Sequence, residues 1–172
     1  YTGQLNDHTL EGDLIFVGRG DASFSTDNLE SLIREIQKKG IKKIEGNLIL
    51  NKSYFGKVPN SIDFDDDPMR AYNVLPNAIS IQSNTINFKF KPQNNNVKIE
   101  AKPDLKYLKI KNNLRLSQKN CVSWKQALDY QKANSIQEEM IIVQGHLSKK
   151  CSNKEIDLSV IDNGRYFYEV FK

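Results

Sequence analysis

Residues 12–50, G-D-L-I-F-V-G-R-G-D-A-S-F-S-T-D-N-L-E-S-L-I-R-E-I-Q-K-K-G-I-K-K-I-E-G-N-L-I-L, are the stretch whose reading decides the fold. Leu14 to Val17 form a short apolar run between Gly12 and Gly18, the pattern of a buried strand. Ser25, Thr26 and Asp27 are all good helix N-caps, and Glu30 stands three residues beyond Asp27 in capping-box spacing. Leu29, Leu32, Ile33 and Ile36 follow helical spacing, and Lys38 and Lys39 suit the negative end of the helix dipole. Gly40 is placed to end the helix in the left-handed conformation. A second apolar strand follows from Asn47 to Leu50. Strand, helix and strand within about forty residues predict a βαβ unit with parallel strands.

Downstream, D-F-D-D-D-P-M-R-A-Y-N-V-L-P-N-A-I-S-I-Q-S-N (63–84) places four carboxylates, Asp63, Asp65, Asp66 and Asp67, within five residues of an otherwise basic chain. Pro68 disfavours helix at Asp67, so the segment reads as an acidic loop. The alternation around Ile79 and Ile81 predicts a half-buried strand after it. Such a loop either receives a cationic group or is merely solvated, and composition leaves both open. It is not an EF-hand, because Pro68 takes the required glycine position and Val74 the required glutamate position.

From Asn84 the period becomes two. I-N-F-K-F-K, V-K-I-E-A-K, L-K-Y-L-K-I-K and L-R-L predict four short antiparallel strands whose lysines form a wet face. Met140–Val143 and Ile156–Val160 read as further strands, 145–154 as a polar connection, and Arg165–Lys172 as the start of a helix. The fold class is therefore α+β: a βαβ unit followed by a mostly antiparallel β-rich region. The divisions expected are 1–62, the acidic loop and strand at 63–84, and 85–172.

A net charge of +4 is mild, and the lysines between Lys89 and Lys111 carry few aromatics, so nucleic acid is not an expected partner. No apolar run reaches the length of a membrane span. Two cysteines and two histidines without C-x-x-C spacing make a metal site unexpected, and no cofactor fingerprint appears. Arg19-Gly20-Asp21 matches an integrin-binding tripeptide, a pattern that recurs by chance. A serine nucleophile needs a base and oxyanion donors. Ser-x-x-Lys, Ser-x-Asn, Lys-Thr-Gly and the nucleophile elbow are all missing, so the chain alone is expected to be inactive.

Several ordered stretches together resemble one family. E-G-D-L-I-F-V-G-R-G-D-A-S-F-S-T-D-N-L is similar to a segment of the D-alanyl-D-alanine carboxypeptidases of penicillin-binding protein 4 type, with Ala22 where proline is usual. K-K-G-I-K-K-I-E-G-N-L-I-L-N-K-S-Y-F continues the likeness. Asp67, Tyr72, Pro76, Ala78 and Asn84 fall in the family's register, as do Gly145, Cys151 and the tail I-D-L-S-V-I-D-N-G-R-Y-F. Phe64 is the nearest aromatic to the place where the family carries one before its key aspartate.

The resemblance implies a non-catalytic region inserted between the halves of a serine β-lactamase-like catalytic domain that is absent from this sequence. The parent would be a periplasmic serine carboxypeptidase/endopeptidase trimming peptidoglycan stem peptides. Its partners would be that stem peptide and the catalytic domain of the same polypeptide. It also implies that Asp67 meets the ammonium of the diaminopimelate side chain and that Tyr72 walls its aliphatic part. Asp63, Asp65 and Asp66 are expected only to solvate the loop. Residues alone leave Cys121 and Cys151 ambiguous; an envelope location would let them join in a disulfide. The alternative is a free-standing cell-envelope binding module without hydrolase activity.

Overall fold

The computed structural model describes residues 1–58, 65, 67–134 and 138–172. In chain order the elements are β1 (Gln4–Asn6), β2 (Thr9–Glu11), β3 (Leu14–Val17), α1 (Thr26–Lys38), β4 (Lys43–Ile44) and β5 (Leu48–Asn51). There follow β6 (Ile86–Gln93), β7 (Asn96–Lys102), β8 (Leu108–Ser117), β9 (Leu128–Asn134), β10 (Glu139–Ser148), β11 (Lys154–Leu158) and α2 (Asn163–Phe171). They fall into two compact units. The first comprises Tyr1–Pro68, Tyr72–Asn84 and Asp162–Lys172; the second comprises Met69–Ala71 and Thr85–Ile161.

The first unit is built on the βαβ unit. β3 and β5 run parallel with Leu14 opposite Leu48 and Phe16 opposite Leu50, and β2 pairs β4 in parallel. β1 and β2, for which the sequence pattern gives no signal, form an antiparallel hairpin turned by Asp7 and His8 at positive φ. Leu10, Leu14 and Ile41 are buried at the centre, packed against Phe16, Ile36, Ile44, Leu48 and Phe171. Helix α2 therefore belongs to this core: Phe16 meets Phe167 and Phe171 edge-on at 5.0 and 5.5 Å. Such pairs add about 0.5–1.5 kcal/mol each beyond their buried area.

Of the three N-cap candidates for α1 the first is used, with a different capping-box partner from the one expected. Ser25 is the N-cap, its hydroxyl accepting from the Asn28 amide while the Asn28 side chain accepts from the Ser25 amide. Glu30 instead pairs with Arg34 one turn on, at 3.6 Å. Gly40, with φ of +95°, closes the helix in the expected manner.

Ile79 and Ile81 are not in a strand. Both are buried, but their neighbours' backbone groups serve loops: Gly20 donates to Ala78 O and Gln82 donates to Phe24 O. Asn163 Nδ2 donates to Ile79 O at 2.9 Å. Gln82, Ser83 and Asn84 then take positive φ in succession, which an extended strand cannot accommodate.

The second unit has two three-stranded sheets, ordered β11-β6-β7 and β8-β10-β9. β6 and β7 are antiparallel as expected, β11 adds to β6 in the same sense, and Ile86, Phe88 and Phe90 are fully buried on one face. The wet face pairs across strands, Lys89 with Glu155 and Lys91 with Glu100, both at 2.7 Å, and within β7, Lys98 with Glu100 at 2.9 Å. The hydrogen bonds from Lys91 and Lys98 hold the Glu100 carboxyl down to about 2.

Two expectations for this unit are corrected, and one strand is added. Leu108–Ile110 and Leu114–Leu116 belong to one strand, β8, which runs through Asn112-Asn113 and pairs with β10 in parallel rather than antiparallel. β10 continues through Gly145–Ser148, part of the segment read as a connection. β9 is a strand where the sequence pattern gives no signal for one.

Candidate functional site

The acidic loop is organised by Asp65, not by solvent. Asp65 Oδ1 accepts from the Asp67 amide at 3.0 Å and from Asn73 Nδ2 at 2.6 Å, while Oδ2 accepts from the Tyr72 hydroxyl at 2.7 Å. Asn73 Nδ2 also donates to the Asp67 carbonyl at 2.9 Å. One carboxylate thus ties the backbone at Asp67 to the side chains of Tyr72 and Asn73, which sit on a tight helical turn at Ala71–Asn73.

The local sequence explains why. An Asp side chain readily accepts from the backbone amide two residues on, and Pro68 keeps Asp67 out of the helical region so that this turn forms. Asp67 is half-buried, whereas Tyr72 is 62% exposed and presents its ring to solvent. Asn73 is buried, and its Oδ1 has no hydrogen-bond partner among the described residues. A buried acceptor without a donor costs about 1–3 kcal/mol, which the two bonds made by Asn73 Nδ2 help to offset.

The structure therefore draws Asp67 and Tyr72, the two residues picked out by resemblance, into one hydrogen-bonded loop. The expectation that Asp65 merely solvates the loop is overturned by its three donors. Asp63, Asp66 and Phe64 lie outside the described residues. Asn73 does not stand out in the sequence, although an amide side chain near clustered carboxylates is a usable signal.

Cys121 and Cys151 are joined, with Cα atoms 5.3 Å apart and a sequence separation of 30. Arg19-Gly20-Asp21 is part of the scaffold: Gly20 donates to Ala78 O, and Asp21 accepts from the Ser23 hydroxyl and amide, which lowers its carboxyl. Among the described residues no group of histidine, cysteine and carboxylate side chains could hold a metal ion, and no helix is long and apolar enough to cross a membrane.

The model of the D-Ala-D-Ala carboxypeptidase 3 (S13) family matches residues 1–172. The chain belongs to that family. It is 34% identical over 83 residues to D-alanyl-D-alanine carboxypeptidase DacB of Haemophilus influenzae, covering 48% of this chain and 17% of that protein. The crystal structure of penicillin binding protein 4 (dacB) from Haemophilus influenzae shares the fold over 98% of this chain and 37% of that one. Its TM-score is 0.75 at 21% identity. The same protein complexed with a novel beta-lactam gives a TM-score of 0.62 over 98% of this chain and 34% of that one, at 20% identity. The chain thus spans well under half the length of these relatives. The S13 chain is α+β, mostly strands with two helices, as that likeness requires.

Proposed function

We propose that this S13 chain is the substrate-recognition part of a periplasmic serine-type D-Ala-D-Ala carboxypeptidase/endopeptidase that acts on peptidoglycan stem peptides. On this reading it is a non-catalytic insert. The catalytic serine and its partners are carried elsewhere in the same polypeptide, since Ser-x-x-Lys, Ser-x-Asn and Lys-Thr-Gly do not occur in this sequence. That serine would be acylated by the peptide, release the residue or cross-link beyond the scissile bond, and be freed by water.

The observation that carries the reading is the Asp65-centred cluster, which holds Asp67 and Tyr72 on one short loop. The ammonium of a diaminopimelate side chain needs a carboxylate, further acceptors and an apolar wall for its methylenes. Asp67 supplies the charge and the exposed Tyr72 ring the wall. A charge-assisted hydrogen bond of this kind contributes about 1.5–3 kcal/mol. Because the loop is tied before the ligand arrives, little ordering entropy opposes binding.

The test is a pair of NMR titrations of the 172-residue chain. A stem peptide with a free amine on its third residue should shift the backbone amides of Tyr72 and Asn73 in a saturable way. The same peptide acetylated at that amine should leave them in place. Equal shifts from both peptides would refute ammonium recognition here.

A further inference from the structure

The unit containing β6–β11 has a cavity of about 380 Å³ whose wall includes Lys119, Asn120, Ser123, Trp124, Gln126 and His146. That volume lies toward the lower end of the roughly 300–1,000 Å³ typical of small-ligand pockets. The wall is built rather than fluid. The segment carrying Asn120 to Gln126 is pinned at Cys121 by the disulfide to Cys151. The Ser148 hydroxyl donates to the Lys119 carbonyl, and Lys149 donates its amide to Ser117 O at 2.9 Å. Gly145, at φ +114°, lets Ala127 approach β10 so closely that any side chain there would collide with the Ala127 carbonyl.

Trp124, the sole tryptophan of the chain, is half-buried in this wall. Its ring is steadied by Phe90 at 6.2 Å and by Lys125 Nζ at 5.7 Å. Around it stand groups of mixed donor and acceptor character: two amides, three serine hydroxyls, an imidazole and an ammonium. No carboxylate lines the cavity, so it is not suited to a cation. His146 and Ser148 both line it two residues apart on β10, and Arg115 on β8 stands opposite His146. The polar face therefore extends along the strands beyond the cavity.

We infer that this cleft binds an N-acetylated amino sugar within a glycan strand. The tryptophan takes the C–H surface of a pyranose ring, the amides of Asn120 and Gln126 bond the acetamido group, and Ser123 and His146 meet ring hydroxyls. The presence of glycan rests on the envelope reading above, but the residues, the unit and the readout are separate from the acidic loop. Loss of glycan binding with ammonium discrimination intact removes only this inference. The converse removes only the stem-peptide reading.

The single tryptophan makes the test direct. The 172-residue chain is titrated with chitotetraose, with cellotetraose, which lacks the acetamido groups, and with inorganic phosphate. Fluorescence and calorimetry are followed together. Chitotetraose should give a saturable change, with cellotetraose at least tenfold weaker and phosphate without effect. Asn120 and Gln126 are exposed, so Asn120→Ala with Gln126→Ala should keep the melting curve and weaken chitotetraose by about tenfold or more. Should the double variant melt early, each single variant is judged by the same criterion. Absence of both signal and heat overturns the inference. So does equal binding of cellotetraose, response to phosphate alone, or wild-type affinity in the variants.

Discussion

Asp65 uses both of its oxygens on neighbours within its own loop. Asp65→Ala would leave the part-buried Asn73 amide and the Tyr72 hydroxyl without that acceptor, a loss of about 1–3 kcal/mol in local order. Amide exchange at Tyr72 and Asn73 should speed up accordingly; unchanged exchange would mean the cluster does not hold the loop. None of this was legible in the sequence. Four adjacent carboxylates look alike until the chain is bent and one of them meets three donors. Tyr166 offers a second residue-scale test. Its burial pushes the phenol up to about 12, so folding favours the neutral form. A folded value above the unfolded one, about 10, gives stability that is full below pH ~10 and is lost as pH rises through ~12. The contribution is at most ~3 kcal/mol. In urea melts across that window Tyr166→Phe should lose stability less steeply than wild type, and parallel curves would contradict the assignment.

Among the elements, α1 was the most legible, because spacing, cap residues, terminal lysines and Gly40 all agree. Its cap is harder to place because Ser25, Thr26 and Asp27 are equivalent by composition. The extended backbone of Ser25 (φ −105°, ψ 172°) and the reciprocal bonds with Asn28 decide between them. Ser25→Ala should therefore cost about 1 kcal/mol in denaturant melts. Asp27→Ala, exposed in the first turn, should cost only ~0.3–1 kcal/mol through the dipole. An Asp27 variant that is the more damaging of the two would reverse this account. The Ile79–Ile81 alternation misleads because burial on two alternate positions is also what a loop pinned by hydrogen bonds from Gly20, Gln82 and Asn163 produces. Asn112-Asn113 reads as a turn, yet Asn112 stays in β8, donating to Val97 O and accepting from the Leu114 amide. Ladder bonds to β10 overrode its local preference.

At the scale of the whole molecule, the βαβ unit was legible from hydrophobic period together with its caps and glycines, and the antiparallel β6–β7 pair from alternation; the pairing of β11 with β6 was not. The parallel pairing of β8 with β10 and the return of α2 to the first core depend on long-range contacts that no local pattern encodes. The family was legible from several motifs in order, none of them specific singly. The Cys121–Cys151 bond closes a loop of about thirty residues, which the chain-entropy account values at ~3–4 kcal/mol. Replacing both cysteines by alanine should remove about that much from the unfolding free energy of the second unit. A loss below ~1 kcal/mol would show that the surrounding sheets, rather than the bridge, fix this segment. On the proposed reading, Asp67 binds a substrate ammonium. The most direct test is the specificity constant of the full-length S13 protein that carries this chain, compared for wild type, Asp67→Asn and Asp65→Asn on stem peptides with a free or an acetylated third-residue amine. Asp67→Asn should lower the value for the free-amine peptide by roughly ten- to a hundredfold and leave the acetylated peptide nearly unchanged, since that peptide offers no charge to lose. Asp65→Asn, which keeps an acceptor for the loop's donors, should discriminate less between the two peptides. An Asp67→Asn enzyme that cleaves the free-amine peptide as well as wild type would contradict the account.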